Sequence, residues 1–102
     1  MTEAALQQRI TKYARRHGVF ARKIVAVNYR GFPDLFMAYG GDSWFIELKN
    51  PSKTGKLSRL QEVCIAEMRA AGLQVYVIDD YDVAISVIED HIKNVDKIKS
   101  HS

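Results

Sequence analysis

Two hydrophobic periods alternate along the chain, one of about 3.6 residues and one of two, and together they mark seven elements. Leu6, Ile10, Tyr13 and Ala14 form an apolar stripe on a first helix that Thr2 can cap and Gly18 can end. Phe20 to Tyr29 reads as a strand centred on Ile24, Val25, Ala26 and Val27. Leu35 to Tyr39 and Trp44 to Lys49 read as two more strands, joined by the turn signal Gly40-Gly41-Asp42-Ser43. The polar run Asn50 to Lys56 is a loop. Ser58-Arg59-Leu60-Gln61 is a capping box opening a helix with Leu60, Val63, Cys64, Met68 and Ala71 inward, closed by Gly72. Val75 to Ile78 is a short buried strand, and Asp80 caps a last helix carrying Ala84, Val87, Ile88, Ile92 and Val95.

The order αβββαβα predicts an α/β fold, a mixed β-sheet flanked by helices. The step from the Trp44 strand over the Ser58 helix to the Val75 strand is a natural crossover between parallel neighbours. Ligands in such sheets gather where strand ends and loops diverge. Residues 1–102 are expected to form a single domain, with a disordered tail from about residue 97.

Composition adds exclusions. A chain of 102 residues can bury one small core. The single Cys64 excludes an internal disulfide framework and a thiolate metal cluster, which makes a reducing cytoplasm the expected setting. No apolar run approaches the ~20 residues that a membrane span requires, and the start lacks a signal-peptide core. The net charge of +3 is mild, so its distribution matters more than its sum.

The candidate chemistry lies in the hairpin. Asp34 and the pair Glu47 and Lys49 supply two hard oxygen ligands and an ammonium, the groups needed to hold a divalent cation beside a phosphodiester. A two-residue turn at Gly41-Asp42, or a four-residue turn pairing Tyr39 with Trp44, sets Phe36 opposite Glu47 and Asp34 opposite Lys49. In either case Asp34, Phe36, Glu47 and Lys49 share one face, while Trp44, Ile46 and Leu48 take the other. Asp34 and Glu47 are then diagonal neighbours, close enough to converge on one ion. A one-residue slip would destroy the site. The plain alternative is a surface pair between Lys49 and Glu47 or Asp34.

At these residues the chain resembles a known family. Gly31-Phe32-Pro33-Asp34, Glu47-Leu48-Lys49, Gly55-Lys56-Leu57-Ser58 and Gln61 are similar to the motifs of VRR-NUC domains, a group of PD-(D/E)XK nucleases. The resemblance runs from the first helix to about Ile88. It implies a restriction-endonuclease-like core and a Mg²⁺- or Mn²⁺-dependent hydrolase cutting DNA phosphodiester bonds. In that case Asp34, Glu47 and the Leu48 carbonyl ligate metal, and Lys49 orients or activates the hydrolytic water. Glu3 stands where the family carries an early helical metal ligand, although a Glu in a first turn also complements the helix dipole. Gln61 stands where the family has a Gln near the nucleophile, and its capping box alone would also account for it. Stand-alone members act as homodimers and some cut four-way (Holliday) junctions. Branched DNA in replication, repair or recombination is therefore the expected substrate, and a phage or bacterial cytoplasm the expected setting. Phe32, Tyr39 or the last helix are candidate dimer surfaces.

Lys53, Lys56 and Ser58 follow the catalytic strand and are placed for phosphate contacts at a helix N-terminus. Arg9, Lys12, Arg15, Arg16, Arg22, Lys23 and Arg30 could steer a polyanion, with Arg30 beside the Gly31 turn the strongest candidate for DNA. Asp79, Asp80 and Asp82 fit a helix cap better than a second metal site. His17, His91 and His101 show no ligand spacing, and Cys64 reads as core. The competing hypothesis is a non-catalytic DNA-binding or assembly module that keeps the nuclease fold.

Overall fold

The structure is a computed structural model, and it describes residues 1–25, 30–52 and 56–100. Helix α1 (Glu3–Arg16) is followed by strands β1 (Phe20–Lys23), β2 (Leu35–Tyr39) and β3 (Asp42–Leu48). Then come helix α2 (Arg59–Ala70), strand β4 (Val75–Ile78) and helix α3 (Tyr81–Ser100). The αβββαβα order read from the pattern is the order observed. One four-stranded sheet runs β1-β2-β3-β4, with antiparallel pairs at β1–β2 and β2–β3 and a parallel pair at β3–β4. Helix α3 continues through Ser100, beyond the point near residue 97 where a loose tail was expected.

The caps explain where the helices begin. The Thr2 hydroxyl accepts from the Ala5 N–H at 3.0 Å. Ser58 and Gln61 exchange side-chain and backbone hydrogen bonds in a reciprocal capping box. Asp80 accepts from the Asp82 and Val83 N–H groups at the start of α3.

The first strand is shorter than its apolar run suggested. It ends at Lys23, and Val25 is 77% exposed. Its partner β2 begins only at Leu35, after the Pro33 turn, so the ladder has no further backbone to pair with. One hydrogen bond, from the Ile24 N–H to the Asp34 carbonyl, carries the contact just past the strand. Ala26, Val27 and Tyr29 lie outside the described residues.

The hairpin register also differs. Tyr39 pairs with Asp42, so the tight turn is Gly40-Gly41. Both glycines have positive φ, 57° and 91°. A two-residue hairpin turn of this kind requires that conformation at both central positions, and Gly-Gly supplies it where Gly-Asp does so less readily. The register is therefore displaced by two residues from the expected one. Because side chains alternate with period two, the faces survive and the opposing partners change.

The sheet has two unlike faces. On one, α1 and α3 cover Leu35, Met37, Trp44, Ile46, Leu48 and Ile78 with Leu6, Ile10, Ala14, Ala84 and Ile88, all buried. On the other, α2 alone contributes Ile65 and Met68 against Val75, with Phe32, Phe45, Leu57 and Cys64 partly buried around them. Helix α2 is rotated from the expected orientation. Leu60 and Val63 are 53% and 40% exposed, and Ala71 is exposed too, while Met68 and the half-buried Cys64 face the sheet as expected and Ile65 joins them. Gln61 lies on the same inward stripe, one turn before Ile65. This rotation brings a polar side chain over the end of β3.

Candidate functional site

Continuing the observed register one step beyond Leu35 sets Asp34 across from Glu47, rather than from Lys49 as both expected turns implied. The correction strengthens the cluster, because directly opposed side chains lie closer than diagonal ones. Asp34 Oδ2 accepts the Leu48 N–H at 2.8 Å, which fixes the carboxylate at the end of β3. Pro33 before it is fully buried and anchors the turn.

Gly31 explains how that turn meets α2. Its φ is +89°, and a Cβ there would lie 2.5 Å from the Leu60 carbonyl oxygen and 2.8 Å from the Gln61 nitrogen. The turn carrying Asp34 thus rests directly on the first turn of α2. Phe32 packs edge-on against Phe45 at 5.7 Å between ring centroids, closing the contact from the side. The motif Gly31-Phe32-Pro33-Asp34 was recognisable in the sequence, but the reason for its glycine was not, because Leu60 lies in a distant element.

Around Glu47 the polar network is dense. Glu47 is 2% exposed, and its Oε2 accepts from Gln61 Nε2 at 2.8 Å and lies 3.5 Å from Lys49 Nζ. Lys49 Nζ donates to Gln61 Oε1 at 3.0 Å and to the Lys56 carbonyl at 3.3 Å. Gln61 Oε1 also accepts the Ser58 N–H at 2.9 Å. One glutamine therefore closes the capping box and bridges the carboxylate and the ammonium. The capping box therefore does not keep Gln61 from contacting Glu47 and Lys49.

Two electrostatic facts stand out. Burial, and then the neighbouring Asp34 carboxylate, push the Glu47 pKa up to about 7, against the opposing pull of Lys49. In addition, Glu47 Oε1 is buried with no hydrogen-bond partner. A buried carboxylate oxygen without a partner is costly, and the repulsion from Asp34 adds to that cost. A cation between the two acids would relieve both. The donor set fits a hard divalent ion, since Mg²⁺ characteristically binds through one or two carboxylates and retains water on its other positions.

A solved structure described as a VRR_NUC domain matches this architecture with a TM-score of 0.75 and 25% sequence identity, over 85% of this chain and 94% of the other. The chain has the VRR_NUC nuclease fold. No family model matches the sequence, and no curated protein matches it.

Within that VRR_NUC fold the other sequence candidates are placed as follows. Leu48 is buried between Glu47 and Lys49. Glu3 is exposed in the first turn of α1, and no group of three or more acidic, His or Cys side chains is poised for a metal among the described residues, so Glu3 does not join Asp34 and Glu47. Ser58 caps α2, and Lys56 is exposed, its carbonyl bound to Lys49. Arg30 is exposed beside Gly31. Lys53 lies outside the described residues, as does Gly55. Arg9 is exposed on α1, with its guanidinium 4.1 Å over the Tyr81 ring. Lys12 and Arg16 are exposed on α1. Phe32 and Tyr39 are half-buried rather than free, and the Tyr39 hydroxyl donates to Asp96 at 2.8 Å. Cys64 is half-buried, and burial raises its thiol pKa, which suits core packing better than nucleophilic chemistry.

A second polar cluster had no signal in the sequence. His91, on α3, bonds Asp42 through Nδ1 and the Tyr76 hydroxyl through Nε2 at 2.8 Å. Its ring stacks on Trp44 with centroids 3.9 Å apart. Gln74 completes the group by donating to Asp42 and to the Ser43 carbonyl, each at 2.8 Å. The partners are widely spaced in the chain, so neither periodicity nor motif spacing could have revealed them.

Proposed function

We propose that this domain is a divalent-metal-dependent DNA endonuclease. The observation that carries the reading is the buried, partnerless Glu47 Oε1 beside Asp34, at the end of a strand whose next side chain but one is a positioned lysine. Asp34, Glu47 and the Leu48 carbonyl would hold Mg²⁺ or Mn²⁺, which would supply Lewis-acid charge beside the scissile phosphate.

The chain's own residues account for the rest. Gln61 fixes Lys49 Nζ through a 3.0 Å hydrogen bond, so the ammonium is oriented before substrate arrives. Lys49 is 15% exposed, enough to reach a water at the attacking position and orient it for in-line attack. The N-terminus of α2, with Ser58 and Lys56, faces the incoming strand with unpaired donors and positive charge. Arg30, beside the Gly31 turn, is a further phosphate contact.

On this reading the substrate is branched DNA, four-way junctions included, and the working form is a homodimer presenting two sites to one junction. The reading as a non-catalytic DNA-binding module is disfavoured by the intact Asp34, Glu47 and Lys49.

The test is an incubation of labelled duplex, flap and four-way-junction DNA with Mg²⁺, Mn²⁺ or EDTA. The proposal expects cutting that needs the metal and prefers the branched substrates. Binding without cutting in any metal would favour the non-catalytic module.

A further inference from the structure

Two clefts adjoin where α1 meets β1. One, of about 470 Å³, is lined by Gln7, Gln8, Thr11, Lys12, Arg15, Arg16 and Lys23. Its neighbour, of about 630 Å³, is lined by Arg15, Gly18, Val19, Phe20 and Arg22. Arg15 forms a wall of both. The linings contain five cations and no acid.

The arrangement is fixed rather than loose. Arg15 Nη2 donates to the Ala21 carbonyl at 3.1 Å, and Arg22 Nη1 donates to the same oxygen at 2.8 Å. Two guanidinium groups therefore converge on one acceptor. The Arg22 guanidinium also lies 4.4 Å over the Phe20 ring, which sets its plane. No acidic side chain pairs with Lys12, Arg15, Arg16, Arg22 or Lys23 among the described residues. Cations spread for solubility would avoid one another. Like charges gathered on one carbonyl, with donors to spare, suit an anion that shares them.

The register shows which way such an anion would run. Lys23 pairs with Leu35 and so belongs to the face that α1 covers, whereas Arg22 pairs with Phe36 and belongs to the face of Glu47. The basic band therefore crosses β1 from the α1 side towards the candidate active site. On the helix, Gln8, Lys12, Arg15 and Arg16 fall at helical spacing on one side, so successive contacts line up.

We infer that this band is a second nucleic-acid surface, which holds the phosphodiester backbone of duplex DNA at a distance from the scissile bond. The choice of DNA as the polyanion rests on the nuclease reading above. Backbone contacts of this kind position a duplex without reading its sequence. In branched DNA they would grip one arm while the Glu47 side faces the branch.

The experiment is fluorescence anisotropy of a labelled duplex in EDTA across a series of salt concentrations, so that binding is read without cutting. Wild type is compared with Lys12→Gln/Arg16→Gln/Lys23→Gln, whose side chains have no described hydrogen-bond or ion-pair partner, and with Arg15→Gln/Arg22→Gln. Each neutralised phosphate adds roughly 0.9 to the slope of log affinity against log salt. The triple variant should lower the slope by roughly 2 to 3 and weaken binding on the order of a hundredfold at ~0.1 M salt. Thermal melting checks that both variants keep their fold. Unchanged slope and affinity in a folded triple variant would overturn the inference, as would a wild type that does not bind duplex. Failure of the nuclease reading shows separately, as absence of metal-dependent cutting, and leaves the binding result to stand or fall by itself.

Discussion

Asp42 and Glu47 sit on the same strand and face opposite sides of the sheet, and their surroundings could hardly differ more. Asp42 has both oxygens engaged, by His91 and by Gln74. Partial burial works against its charge, yet the hydrogen bonds from His91 and Gln74 outweigh this and hold its pKa below the usual carboxylate value. Glu47 is buried with one oxygen unpaired, and its pKa is driven up to about 7. The first carboxylate belongs to a satisfied network that ties α3 to the hairpin. The second is kept at a cost that a proton or a bound cation would offset. Satisfaction fits a structural acid, and frustration fits the role proposed for Glu47.

The largest expected effect falls on chemistry. Lys49→Ala should bind DNA and lose cutting by at least a hundredfold, as expected for loss of a group acting on the attacking water. Full residual activity would remove Lys49 from the mechanism. Gel assays on the same branched substrate measure both properties.

Next in size is the dry face. Trp44 is fully buried and stacked on His91, so Trp44→Ala should cost about 3–5 kcal/mol in urea unfolding. Asp42→Ala should cost about 1–3 kcal/mol, because it strips partners from His91 and Gln74. Glu47→Gln should not destabilise the metal-free domain. A Glu47→Gln loss as large as that of Asp42→Ala would erase the contrast between the two acids.

A pH effect sharpens the same contrast. The folded state holds the Glu47 proton more tightly than the unfolded chain, whose Glu titrates near 4.5. The folded protein therefore binds more protons between about pH 4.5 and 7. Stability from this group is complete below that window and is lost as pH rises through it, by on the order of 3 kcal/mol. The Asp42 contribution has the opposite sign and lies at lower pH, since its folded pKa is depressed from 3.8. Metal-free unfolding curves from pH 5 to 8 should show the decline in wild type and a flat response in Glu47→Gln.

The smallest structural change tests how the site is assembled. Gly31→Ala must push the Asp34 turn away from Leu60 and Gln61, in addition to straining a positive-φ backbone. It should lower cutting more than it lowers overall stability.

Element order was legible in the sequence because each helix carries its own apolar stripe and β2, β3 and β4 their own apolar runs, whereas β1 lies beside its run rather than on it. The shared face of Asp34, Glu47 and Lys49 was legible for a different reason, since a two-residue register error preserves the alternation of side chains. The direct opposition of Asp34 and Glu47 was not, because it depended on whether Gly40-Gly41 or Gly41-Asp42 formed the turn. The orientation of α2 was misread from Leu60 and Val63, which look like core but are left outward when Gln61 is drawn to Glu47 and Lys49. The His91 cluster joins residues from three elements, and nothing local encodes it. Glu3 matched a family position by sequence order alone, and the end of α1 does not bring it to the other acids.

Metal-dependent cutting requires Asp34 and Glu47 to form a cation site. The most direct measurement is calorimetric titration of Mn²⁺ into the wild-type protein and into Glu47→Gln, from pH 6 to 8. Binding to the wild type should tighten as pH rises through about 7, where Glu47 gives up its proton, and should be lost in the variant. Equal Mn²⁺ binding by both proteins, or none by the wild type at any pH, would contradict it.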